Sequence, residues 1–126
     1  MLTTVSGFSG FSVPDIEAAL AFYRDILGLE VTRTEMGGLE LRAGRTQVFV
    51  YPKPDHTPAS FTVLNLVVPD IDAAVDELEA EGVLLERYPG MPQDGRGVMR
   101  GREAGRGPDI GWFTDPAGNI FAIIGE

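Results

Sequence analysis

The tetrapeptide Val13-Pro14-Asp15-Ile16 returns 55 residues later as Val68-Pro69-Asp70-Ile71, and each copy is followed by an acid and two alanines. A repeat at that distance marks two copies of one supersecondary unit, and it excludes most folds that lack internal duplication. In both copies a strand-like stretch precedes the motif and a helix-period stretch follows it, ending at Gly28 in the first and at Gly82 in the second. Asp15 and Asp70 suit the N-cap, where a short carboxylate accepts an orphan backbone N–H and meets the positive helix end. Ile16, Ala19, Leu20, Tyr23, Ile26 and Leu27 recur at helical spacing, as do Ile71, Ala74, Val75 and Leu78, so each helix has one apolar face to set against a sheet. The acids on the other faces, Glu17 and Asp25, then Asp72, Asp76, Glu79 and Glu81, read as solvated surface.

After the first helix, residues 29–35, 39–42 and 46–51 read as strands, with Gly37-Gly38 and Ala43-Gly44 at the turns. After the second, residues 83–88, 110–114 and 120–124 repeat the order, and Asp115-Pro116-Ala117-Gly118-Asn119 forms the last hairpin turn. The apolar runs 61–68 and 120–124 read as buried strands, too short to cross a bilayer. The chain is therefore α+β, two tandem βαβββ modules in one domain of 126 residues. Module 1 covers about 1–53, a connection 54–60, and module 2 about 61–126. The halves differ at residues 89–108, where Arg96, Arg100, Arg102 and Arg106 alternate with glycines. A loop of that length is a lid, a binding loop or a mobile surface segment, and the last is the reading favoured here.

Val13-Pro14-Asp15-Ile16, Ala21-Phe22-Tyr23-Arg24-Asp25-Ile26-Leu27-Gly28-Leu29 and Asp115-Pro116-Ala117-Gly118-Asn119, in this order, resemble the vicinal-oxygen-chelate superfamily of glyoxalases, bleomycin-resistance proteins and extradiol dioxygenases. The resemblance covers nearly the whole chain. It implies two modules forming a cupped mixed sheet, often completed as a homodimer, with the ligand inside the cup. It also implies four strand positions that usually supply His, Glu, His and Glu to a divalent metal. The first ligand lies seven residues before the helix-opening aspartate, which gives Phe8 and, in the second half, Val63. The closing ligand lies seven residues after Asp115, at Ala122, and the remaining one falls at Phe49, with Gln47 or Tyr51 reached by a slip of two. A metal such as Zn²⁺ needs several N or O donors converging at about 2.0–2.2 Å, which these residues do not supply. Neither a metal nor any other cofactor is expected.

Alternation along the strands places Phe8 with Gly10 and Ser12, Gln47 with Phe49 and Tyr51, and Val63 with Asn65. With Ala122 they make a largely apolar cup with isolated polar groups, the usual make-up of a small-molecule pocket, unless the same side chains simply fill it. His56, the single histidine, sits in a proline-punctuated connection, as linker or as a base over the cup. Met91, Met99 and Tyr88 are apolar exceptions in or beside the long loop, suited to anchoring it as a lid, and Arg100 with its neighbours could grip an anion. Trp112 reads as core. A formal charge of −9 repels phosphate backbones and anionic lipid, so neither nucleic acid nor membrane is an expected partner. Without cysteines there are no disulfides or thiolate sites. The first residues lack the pattern of a secretory signal, which points to the cytoplasm. The leading expectation is metal-independent binding or sequestration of a small organic molecule by a homodimer. The rivals are a glyoxalase-like isomerase, lyase or dioxygenase with displaced metal ligands, and a non-catalytic structural or regulatory dimer.

Overall fold

In the computed structural model, which describes residues 1–126, both repeated aspartates cap helices. The Asp15 carboxylate accepts from the Ala18 N–H and that of Asp70 from the Ala73 N–H, each at 3.1 Å. Gly28 and Gly82 follow the helices at φ +69° and +80°, the left-handed region where a side chain would be strained. The chain divides into two compact units, Met1–Thr57 and Pro58–Glu126. No helix is long and apolar enough to cross a membrane.

The first unit runs β1 (Ser9–Val13), α1 (Ile16–Ala21) with a π turn (Phe22–Ile26), β2 (Glu30–Arg33), β3 (Leu39–Ala43) and β4 (Thr46–Pro52). Its sheet has the order β1-β4-β3-β2, with β1 parallel to β4 and the other pairs antiparallel. Phe11, Val13, Leu39, Leu41, Val48 and Val50 are buried on one face, where Phe11 meets the edge of Tyr23 at 6.3 Å. Simple helical spacing missed Phe22. The π turn, closed by the Leu27 N–H on the Phe22 carbonyl, inserts a residue and brings Phe22 and Tyr23 inward together.

The second unit runs β5 (Thr62–Val68), α2 (Ile71–Ala80), β6 (Ile110–Thr114) and β7 (Ile120–Gly125), in the sheet order β5-β7-β6. Leu64, Phe113, Phe121 and Ile123 are buried with the apolar face of α2. The β5 run is not buried throughout: Phe61 and Val67 are each 68% exposed. The expected strand at 83–88 does not form. One backbone bond reaches β6, from the Glu86 N–H to the Trp112 carbonyl at 2.7 Å. The next polar groups pair with the Gln93 amide instead, whose oxygen accepts from the Tyr88 N–H and whose NH₂ donates to the Glu86 and Gly97 carbonyls at 2.7–2.8 Å. A side-chain amide replaces the missing strand partner. Leu85 still packs over β6, because Gly111 has no Cβ where Leu85 Cδ1 would be 2.6 Å away. The Asp115–Asn119 turn forms as expected, the buried Asp115 carboxylate accepting from the N–H groups of Ala117 and Asn119.

The segment 89–108 is tied down rather than loose. Arg100 reaches Asp72 at 2.6 Å, Asp94 at 2.9 Å and Asp109 at 3.4 Å, and Arg96 reaches Asp76 and Glu79. Three of the acids expected to be solvated helix surface, Asp72, Asp76 and Glu79, are therefore anchor points for the loop, and two of its arginines are committed to them. Pairs so far apart in sequence leave no local pattern. The Arg100 bond holds the Asp72 carboxyl below its usual 3.8. Burial pushes the Asp94 carboxyl up, but bonds from the Val98 N–H, Arg100 and the Arg96 N–H together leave it lowered. Carboxylates depressed on folding stabilise the folded state above their unfolded values and lose that contribution as the pH falls through the folded ones. Replacing Arg100 by Gln should cost about 1.5–3 kcal/mol at neutral pH. In urea unfolding followed against pH, the gap between parent and variant should close below about 3.8; a gap independent of pH would contradict this anchoring.

Candidate functional site

Because α1 covers one face of the first sheet, the alternate residues emerge on the other. The β1–β4 register sets Gly10 beside Phe49 and Ser12 beside Tyr51, and the β3–β4 register sets Glu40 and Arg42 beside Phe49 and Gln47. Phe8, just before β1, is 72% exposed and Tyr51 39%. Phe8 meets Phe49 edge-on at 6.5 Å, and Phe49 stacks on Tyr51 at 5.9 Å with 25° between planes. The rings form one strip, which an aromatic guest can extend. Beside it is a cavity of about 330 Å³ lined by Phe8, Thr34, Met36, Glu40, Gln47 and Phe49.

Gly38 makes this strip possible. A Cβ there would lie 2.6 Å from the Val50 carbonyl oxygen and 2.7 Å from Phe49 Cε1, so the Phe49 ring rests where any other residue would intrude. The polar groups around the rings are ordered. Arg42 holds Glu40 at 2.9 Å, and the Gln47 amide, once turned so that its oxygen faces the same guanidinium, accepts from it at 2.6 Å. At the far end Ser12 Oγ is 2.7 Å from His56 Nδ1. His56 is thus folded against β1 rather than left in a loose linker.

Of the residues singled out from sequence, Phe8, Ser12, Gln47, Phe49 and Tyr51 share this face. Thr34, Met36, Gly38 and Glu40 were missed, although alternation along β3 would have placed Glu40 across from Phe49. Val63, Asn65 and Ala122 belong to the second unit, where Asn65 pairs with Ala122; Asn65 is exposed and Ala122 fully buried. Trp112, expected in the core, is half-buried, with the edge of Tyr88 at 5.6 Å. Burial, and then the Glu86 charge, push the Tyr88 phenol up. Met99 pairs through its backbone with Ile110 and, with Arg100, lines a separate cavity of about 640 Å³ inside the long loop. Met91 is half-buried, its N–H on the Tyr88 carbonyl.

The residues present do not fit the divalent metal that the resemblance implies. Phe8, Phe49, Val63 and Ala122 have no side-chain donor atom, and no group of three or more His, Cys, Asp or Glu side chains is placed to hold a metal ion.

A family model described as the Glyoxalase/Bleomycin resistance protein/Dioxygenase superfamily matches residues 7–123. Among solved structures, a member of that superfamily from Sphaerobacter thermophilus is 24% identical, with a TM-score of 0.66, covering 97% of this chain and 98% of that one. The antibiotic binding protein TnmS3 from Streptomyces sp. is 23% identical, with a TM-score of 0.65 and 98% of each chain covered. The fosfomycin resistance protein FosX from Listeria monocytogenes is 14% identical, with a TM-score of 0.70, covering 100% of this chain and 95% of that one. At these identities the likeness is one of fold. No curated protein matches the sequence.

Replacing Gly38 by Ala should displace the Phe49 ring and cost roughly 1–3 kcal/mol from overpacking. The same change at Gly7, where a Cβ meets nothing within 4 Å, should stay within about 0.5 kcal/mol. Denaturant unfolding of the two variants compares them directly; equal stabilities would contradict the close approach of Phe49 to Gly38.

Proposed function

The chain belongs to the Glyoxalase/Bleomycin resistance protein/Dioxygenase superfamily, and from that premise we propose that it binds and sequesters a small organic molecule without a metal. The observation that carries this reading is the strip of Phe8, Phe49 and Tyr51, open to solvent beside a cavity of about 330 Å³. The positions where the resemblance implies metal ligands hold Phe, Val and Ala, so the site offers stacking area and a few hydrogen-bonding groups in place of a Lewis acid. A fold relative described as an antibiotic binding protein supports sequestration as a use for such a face. The formal charge of −9 favours a cationic or neutral guest over an anion.

A thermal-shift screen of aromatic and amphipathic metabolites and antibiotics should therefore give hits. A ligand at 100 times its dissociation constant stabilises the native state by about 2.7 kcal/mol. Phe49→Ala should abolish the shift, and elemental analysis after growth in metal-supplemented medium should find no stoichiometric Zn, Ni, Mn or Fe. A screen without hits, a shift retained in Phe49→Ala, or one tightly held metal per chain would each overturn the proposal, the last reviving the enzyme reading.

We further propose that the protein works as a homodimer, because β1, β2 and β5 are edge strands of their sheets and apolar Phe61 and Val67 are exposed. Light scattering at micromolar concentration should give about twice the 13.6 kDa of one chain; the mass of a single chain would refute it.

A further inference from the structure

The aromatic strip ends in a pair with chemistry of its own. Ser12 lies on β1 beside Tyr51, half-buried, with its Oγ 2.7 Å from His56 Nδ1. His56 is held there by a short, stiff segment. The Lys53 N–H donates to the Val13 carbonyl at 2.9 Å, the His56 N–H donates to the Lys53 carbonyl at 3.0 Å, and Lys53 Nζ pairs with Asp55 at 2.7 Å. Pro52 and Pro54 remove further backbone freedom from the same segment. The imidazole is thus fixed against the hydroxyl by the turn that carries it. Gly10, exposed and two residues before Ser12 on the same face, leaves the approach along β1 from Phe8 without a side chain.

A serine hydroxyl is a weak nucleophile until a neighbouring base takes its proton, and a hydrogen bond of this length to imidazole is the arrangement that allows it. We propose that Ser12 is a nucleophile activated by His56, and that it accepts the acyl group of an activated aryl ester whose ring lies on the Phe49–Tyr51 strip. This rests on the binding reading above. With His56 neutral and its proton on Nε2, the Ser12 hydroxyl donates to Nδ1. Oγ attacks the ester carbonyl carbon and forms the new C–O bond as Nδ1 takes the hydroxyl proton. The bond from that carbon to the aryl oxygen breaks, and the departing phenolate takes the proton from Nδ1. The products are a phenol, a neutral His56 and an O-acyl Ser12, with no other reactant required.

Incubation of the full chain with p-nitrophenyl acetate, followed by intact mass and peptide mapping, tests this. One acetyl group per chain on Ser12, with equimolar p-nitrophenol released, is expected. Ser12→Ala should lose that label, and His56→Gln, folded by circular dichroism, should slow acylation by roughly 10²–10⁴-fold. Label confined to Lys53, Tyr51 or the amino terminus, equal labelling of Ser12→Ala, or an unchanged rate in His56→Gln would overturn the proposal. Phe49→Ala should need more ester for the same rate. Unchanged concentration dependence in that variant would overturn the placement of the ring, and with it the binding reading, while Ser12 remained the acceptor.

Discussion

One helix can cover only one face of a sheet, and each unit of this protein has one helix. In the first unit the covered face takes Phe11, Val13, Leu39, Leu41, Val48 and Val50 out of water. At about 25 cal/mol per Å² of apolar surface, such burial is the main favourable contribution to folding. Strand geometry then leaves no freedom about the other face: every second residue of β1, β3 and β4 must emerge there. That face is where the chain carries Phe8, Ser12, Glu40, Gln47, Phe49 and Tyr51. The residues that fold the unit and those available for chemistry are thus the two halves of one alternation.

The second unit meets the same constraint differently. Its long loop, anchored by Arg100 to Asp72, Asp94 and Asp109, holds the Gln93 amide against the 86–88 backbone. Tyr88 is thereby set against Trp112 on the face opposite the helix. Two copies of one unit have diverged after the helix, where one forms a strand and the other an extended segment and a long loop tied to α2.

The parts of this arrangement legible in the sequence are those specified by neighbours along the chain. Asp15 and Asp70 as caps, the glycines that end the helices, the Asp115–Asn119 turn and the alternation on β1 and β4 all depend on residues a few positions apart. What escaped depends on partners remote in sequence. The π turn at Phe22 reads as ordinary helix, and Gln93 and Arg100 look like generic polar loop residues until their partners are in place. Gly38 reads as a turn residue, and its second role as the floor under Phe49 exists only once β3 and β4 are paired. The resemblance supplied the positions expected to line the cup, whereas the stacking of Phe8, Phe49 and Tyr51 depends on paired strands and was not legible.

Membership of a superfamily fixes a scaffold, and the side chains on it decide the chemistry. Here the central claim is that the open face of the first sheet is the binding surface. Amide NMR during titration of a bound aromatic ligand tests it most directly. The account predicts perturbations concentrated at Phe8, Gly10, Gly38, Glu40, Gln47, Phe49 and Tyr51. Perturbations confined to residues 92–106, around the loop cavity, would contradict it.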